Sequence, residues 1–126
     1  MRLWHEKLIP LLPRQQLLGQ HRECAALRGN GWGKKHSTVD YVFTHKIEYL
    51  IAYHKKVIDE MERRGYKPDK TWKNPLYRGK KLGNDISISV LEVIVNYKYK
   101  KYPEHNDSYL QECLLNLEGK GIKIAI

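Results

Sequence analysis

A chain of 126 residues with 41% hydrophobic content has the size of one compact domain around one core, and chains of this length seldom divide. Its 23 Lys and Arg against 14 Asp and Glu leave a formal charge of +9 at pH 7, an excess that disfavours an ordinary self-contained domain and suits a polyanionic partner. Nucleic acid is the first partner class to expect and an anionic membrane surface the second. No apolar run reaches the roughly 18 residues of a membrane span, and Met1-Arg2-Leu3-Trp4-His5-Glu6 lacks the basic-then-apolar order of a secretory signal, so a soluble, cytoplasmic protein is expected. Cys24 and Cys113 fall in segments that both read as helical and suggest reduced packing residues rather than a disulfide framework. The six histidines carry no HxxxH or HExxH pattern, so no metal centre is expected.

Pro10 and Pro13 punctuate the start, and Pro13 is suited to opening a helix because its missing N–H is one the first turn leaves unpaired. A first helix is predicted over about Arg14 to Arg28. On a helical wheel Leu17, Leu18, Cys24, Ala25 and Leu27 share one side, and Gln15, Gly19, Arg22, Glu23 and Ala26 the other. Gly29 to His36 is a glycine-rich basic loop, after which Ser37 with Asp40 resembles a capping box. Val39, Phe43, Ile47, Leu50, His54, Val57, Ile58 and Met61 then recur at helical spacing and predict one long central helix up to Arg63-Arg64-Gly65.

Pro68 to Gly83 reads as a loop. Between Asn84 and Lys101, Ile86 to Val90 alternates like a strand while Leu91, Ile94 and Val95 continue like a helix; length favours a helix, with Asp85 as a possible N-cap. Pro103 to Ser108 breaks the chain, and Leu110, Leu114 and Leu117 define a short last helix closed by Gly119 or Gly121. The alternating tail Ile122 to Ile126 cannot form a sheet alone. The predicted fold is all-α and single-domain.

Arg14, Arg22, Arg28, Lys34, Lys35 and His36 group on the first helix and its following loop, as phosphate-neutralising residues would, or as a solvated surface would. The Gly31-Trp32-Gly33-Lys34-Lys35 loop offers backbone N–H groups to an anion, or is a plain tight turn. Tyr97-Lys98-Tyr99-Lys100-Lys101-Tyr102 alternates aromatics and cations, which suits stacking on bases and equally suits an amphipathic helix end. Between Lys7 and Thr38 the single carboxylate is Glu23, directly after Arg22. A surface ion pair with Arg22 or Arg28 would explain it, though neighbours and residues five apart do not face each other on a helix; a catalytic carboxylate is the sharper reading.

Arg14-Gln15-Gln16-Leu17-Leu18-Gly19-Gln20-His21-Arg22-Glu23, taken with Met1-Arg2-Leu3-Trp4 and the helix from His36-Ser37-Thr38 to Arg64-Gly65-Tyr66, resembles the phage endonuclease V-like pyrimidine-dimer DNA glycosylase family. The resemblance covers about residues 1 to 66, extends more loosely to Arg78-Gly79 and Asp85 to Ser89, and lapses from Pro103. It implies a family-like core over 1–102 with a C-terminal helical extension over 103–126.

By that resemblance the terminus lies beside the first helix of an all-α fold. The implied enzyme excises pyrimidine dimers from double-stranded DNA and cuts the strand at the abasic site, through an imine between the terminal α-amine and sugar C1′, with no cofactor. Arg22-Glu23 matches the family's arginine-glutamate pair. The family's terminal threonine is replaced: Arg2 is too large for routine methionine removal, so Met1 is expected to stay and supply the nucleophile, with Arg2 as the arginine that follows it. An arginine one turn after the glutamate is Ala26 here and a nearby histidine is Gln16, so Arg28, Lys34 and Lys35 are expected to take over phosphate contacts. Arg2, Arg14, Gln15, Arg28, Lys34, Lys35, His36, Tyr97 and Tyr99 are thus the candidate DNA contacts, and Met1, Arg22 and Glu23 the catalytic ones, in a nucleoid-associated monomer. The alternative is a non-catalytic nucleic-acid-binding domain of the same fold.

Overall fold

The computed structural model describes residues 2–29, 40–85 and 97–125. Met1, the loop bearing Lys34, Lys35 and His36, the Ser37 helix start and most of the helix expected between Asn84 and Lys101 lie outside the described residues. What is described is all-α. Helix α1 is Arg14–Arg28, α2 is Ile47–Arg63 and α3 is Asp107–Gly119. Shorter 3-10 turns occupy Glu6–Leu11, Asp40–Thr44, Lys70–Lys73 and Tyr97–Tyr99. The strand-like pairing among the described residues is an isolated bridge between Tyr77 and Asn84.

α1 has the predicted bounds. Pro13 stands just outside it, where its carbonyl receives the Leu17 N–H at 3.0 Å. The long central helix is shorter than the periodicity suggests. Val42 and Phe43 belong to the separate turn Asp40–Thr44, and Lys46, at φ −67° and ψ 155°, is extended between that turn and α2. The Thr44 hydroxyl donates to the Tyr41 carbonyl at 2.8 Å, one of the local side-chain bonds that compete with helix propagation. Hydrophobic spacing carries across the break because both pieces bury the same side.

The N-terminal segment is part of the interior. Leu3, Trp4, Leu8, Ile9 and Leu12 join Leu17, Cys24 and Leu27 of α1, Leu50, Tyr53, Val57 and Met61 of α2, and Leu110, Cys113 and Leu117 of α3 in one buried cluster. Each such aliphatic side chain contributes about 1.5–3 kcal/mol on burial, so the C-terminal helix is integral to the core. Cys24 and Cys113 are both free and buried. α3 begins at Asn106, whose side chain accepts the Tyr109 N–H at 2.9 Å. It ends at Gly119, and Gly121 at φ 82° makes the left-handed turn that lets the Ile122 N–H reach the Leu117 carbonyl at 2.9 Å.

Candidate active site

A buried amide holds the chain start against α1. Gln20 is 0% exposed; its Nε2 donates to the Arg2 carbonyl at 2.9 Å and its Oε1 accepts the Trp4 N–H at 3.0 Å. The Tyr53 hydroxyl of α2 donates to the Trp4 carbonyl at 2.6 Å and lies 2.8 Å from the same Oε1. The Arg2 carbonyl and both backbone groups of Trp4 are therefore met by two helices, as burial of polar backbone requires. Sequence reading missed Gln20: nothing separates it from Gln15 and Gln16 except that the wheel turns it inward.

Glu23 follows Gln20 by three positions, so it stands one turn along α1 from the clamp. It is half-buried and forms no hydrogen bond or ion pair with any described residue, which disposes of the pairing with Arg22 or Arg28 as its explanation. Arg22 beside it is exposed and likewise free of an ion pair among the described residues. Gly19, expected on the open side, is buried. Ala26 is exposed as predicted.

Arg28 requires correction as a phosphate contact, because it is 0% exposed. Its guanidinium donates to the carbonyls of Trp72, Asn74 and Tyr77 at 2.9–3.0 Å and lies 3.0 Å from His54 Nδ1. Its position in the last turn of α1 suits a cation to the helix dipole, and it docks the 72–77 loop there. Arg78 answers from that loop, donating to the Arg28 carbonyl at 3.0 Å and to Asp85 at 3.1 Å. Burial lowers the Arg28 pKa to about 10, so it stays charged at neutral pH.

Arg28 also fixes two imidazoles. A guanidinium can only donate, so His54 Nδ1 accepts and its Nε2 carries the proton that goes to His21 Nδ1 at 2.8 Å. Both rings are thereby held neutral. Burial, followed by the charge of Arg28, pushes His54 well below the usual histidine range, and burial with Arg22 and Arg28 lowers His21. His54, expected at the edge of the core, is wholly inside it.

The other candidate contacts divide. Arg14 and Gln15 are exposed, with the Arg14 guanidinium 5.7 Å from the Tyr66 ring centroid. Tyr99 is 81% exposed on a turn whose neighbours include Lys98 and Lys100, whereas Tyr97 is half-buried beside Trp72 in a small cavity. Arg2 is partly buried; its Nη1 lies 3.3 Å from Glu112 Oε2, and its guanidinium sits over the rings of Trp4 and Tyr109. No group of three potential metal ligands occurs among the described residues, and none of the described helices is long and apolar enough to cross a membrane.

In this basic all-α domain the N-terminal segment packs into the core, and the exposed Arg22 and the half-buried Glu23, a carboxylate with no hydrogen bond or ion pair among the described residues, stand within a turn of the Gln20 bonds. The family model described as pyrimidine dimer DNA glycosylase matches residues 1–74. That is more than half of the 126 residues, and the chain belongs to this family of DNA glycosylases, whose substrate is DNA. The match takes in the clamped segment, α1 and α2 and leaves α3 outside. Searches of curated proteins and of solved structures return no match.

Proposed function

We propose that this protein is a DNA-repair glycosylase with abasic-site lyase activity, and that the α-amine of Met1 is its nucleophile. The observation that carries the reading is the Gln20 clamp, which holds Arg2 and Trp4 against α1 one turn from Glu23, a carboxylate without a partner among the described residues. An α-amine, with a pKa near 7.7–8.0, is partly neutral at physiological pH where a lysine is not. Its lone pair attacks C1′ of the damaged nucleotide, and the base leaves with the electrons of the glycosidic bond. Loss of the amine proton and opening of the sugar ring give an imine; removal of a C2′ proton then expels the 3′ phosphate by β-elimination. Glu23 carries the proton transfers and stabilises the iminium charge. Arg22, Arg14, Gln15 and Tyr99 face solvent and supply phosphate and base contacts. Extruding a nucleotide costs a few kcal/mol, least at a lesion whose stacking is already weakened.

A duplex carrying one abasic site tests this directly. The protein is expected to nick it and, with borohydride, to become covalently attached through its first residue. Glu23→Gln should slow cleavage about 100-fold or more, the range for a positioned proton-transfer group, and acetylation of the terminus should abolish trapping. Attachment through an internal lysine refutes Met1; binding without any cleavage favours a nucleic-acid-binding module.

A further inference from the structure

The three carbonyls of Arg2, Leu3 and Trp4 go to three different side chains. Gln20 takes that of Arg2 and Tyr53 that of Trp4, and neither bonds that of Leu3. Its partner comes from α3: the Tyr109 hydroxyl donates to the Leu3 carbonyl at 2.5 Å. Four more contacts come from the C-terminal residues. Glu112 pairs with Arg2 at 3.3 Å, and the Arg2 guanidinium lies 5.9 Å from the Tyr109 ring centroid. His105 Nδ1 accepts the Glu6 N–H at 3.3 Å while its ring stacks on His5 at 5.4 Å. The turn before α3 and the helix itself thus follow the segment from Arg2 to Glu6.

We infer that α3, through Tyr109 and Glu112, is the second wall of the cradle that aims the terminal amine. This rests on the reading of that amine as the nucleophile. Residues 1–74 carry the family match and contain only the first wall; the second is supplied by chain beyond it. Covalent geometry keeps consecutive Cα atoms about 3.8 Å apart, so an uncertainty in Arg2 passes almost undiminished to the residue before it. Held from one side only, the segment could pivot about Gln20. Held from both, the Leu3 carbonyl and the Arg2 side chain are each fixed independently of the Gln20 bonds. Glu112 has a further effect, because it offsets the charge of Arg2 and gives the guanidinium a place on α3. Tyr109 and Glu112 are positioning residues: neither needs to touch the sugar.

An open depression of about 430 Å³ is lined by Glu104, Asn106, Ser108, Tyr109 and Glu112; Glu112 is exposed there, and Tyr109→Phe keeps the ring that packs against the core. The test is single-turnover borohydride trapping on an abasic duplex, with parent, Tyr109→Phe, Glu112→Gln and Glu112→Asp, at a temperature where circular dichroism shows each to be folded. In parallel, affinity is measured for a duplex carrying a tetrahydrofuran abasic analogue, which cannot form an imine. Trapping by Tyr109→Phe and Glu112→Gln should slow about tenfold, since displacements near 1 Å cost up to about 100-fold in rate. Affinity for the analogue should stay within about twofold, and Glu112→Asp should recover most of the rate. A merely structural role would lower the melting temperature and leave the trapping rate of folded protein unchanged. Parental trapping rates in both variants overturn the role of α3 alone, whereas a parent that traps nothing overturns the function and this inference together.

Discussion

Gln20→Met removes the clamp while keeping the volume of the side chain nearly constant, so its cost reports the hydrogen bonds with little contribution from a cavity. In the folded parent the Gln20 amide satisfies the Arg2 carbonyl and the Trp4 N–H, both in a site where Gln20 and Trp4 are 0% and 2% exposed. A buried polar group left without a partner costs about 1–3 kcal/mol. The Trp4 N–H has no alternative, and the Arg2 carbonyl, nearer the surface, has access to water and sits at the low end. The Tyr53 hydroxyl keeps its bond to the Trp4 carbonyl. The sum is a loss of about 3 kcal/mol, a large part of the 5–15 kcal/mol typical of a domain. Urea denaturation followed by tryptophan fluorescence would read this as a lower midpoint at unchanged slope. At a temperature where the variant is folded, imine trapping should fall by more than tenfold, because the segment has lost its anchor on α1. A stability loss below 1 kcal/mol with trapping at the parental rate would refute the clamp.

Replacing Arg28 by Met strands three carbonyls and His54 Nδ1 and should cost about 3–5 kcal/mol, the range for breaking a buried charged network. Folded Arg28→Met should nonetheless bind duplex DNA with the parental salt dependence, whereas Arg22→Ala should reduce the slope of log K against log salt by about 0.9, the value for one lost phosphate contact; a reduced slope for Arg28→Met would restore Arg28 to the DNA interface. Stability should also fall in mild acid. Burial holds His5, His21, His54 and His105 below the ordinary histidine pKa, His105 at about 4. The unfolded chain therefore takes up protons near pH 6.5 that the folded chain refuses. This contribution is complete above about pH 7 and is lost as pH drops from 6.5 toward 4, at up to about 1.4 kcal/mol per pH unit for each histidine. Melting temperatures from pH 7.5 to 4.5 should decline accordingly, and a flat profile between pH 7 and 5 would refute the neutral assignments.

Local chemistry decided α1 and the last helix. Pro13, the apolar period of Leu17, Cys24 and Leu27, and the Asn106 and Gly121 ends are signals within a few residues of the structure they specify, so reading along the chain recovers them. The lone carboxylate at Glu23 was legible in the same way, as a break in the charge pattern, and the Arg14–Glu23 stretch carried the family. Periodicity misjudged the start of α2, because a 3-10 turn and a helix can bury the same side and the Thr44 back-bond that separates them leaves no trace in the spacing.

Tertiary structure decided which polar side chains are inside. Arg28 was expected at the DNA interface and Gln20 was not singled out, yet both are fully buried, because their partners include backbone groups 16 to 49 positions away. The same holds for α3, whose sequence predicts a short closing helix and whose contacts with Arg2 and Leu3, like that of the preceding His105 with Glu6, span about 100 residues. Composition pointed to a polyanionic partner, and the charge pattern singled out Glu23. The course of residues 2–6 is set by long-range hydrogen bonds to carbonyls and amides, groups nearly every residue possesses and which carry no sequence signature of their own.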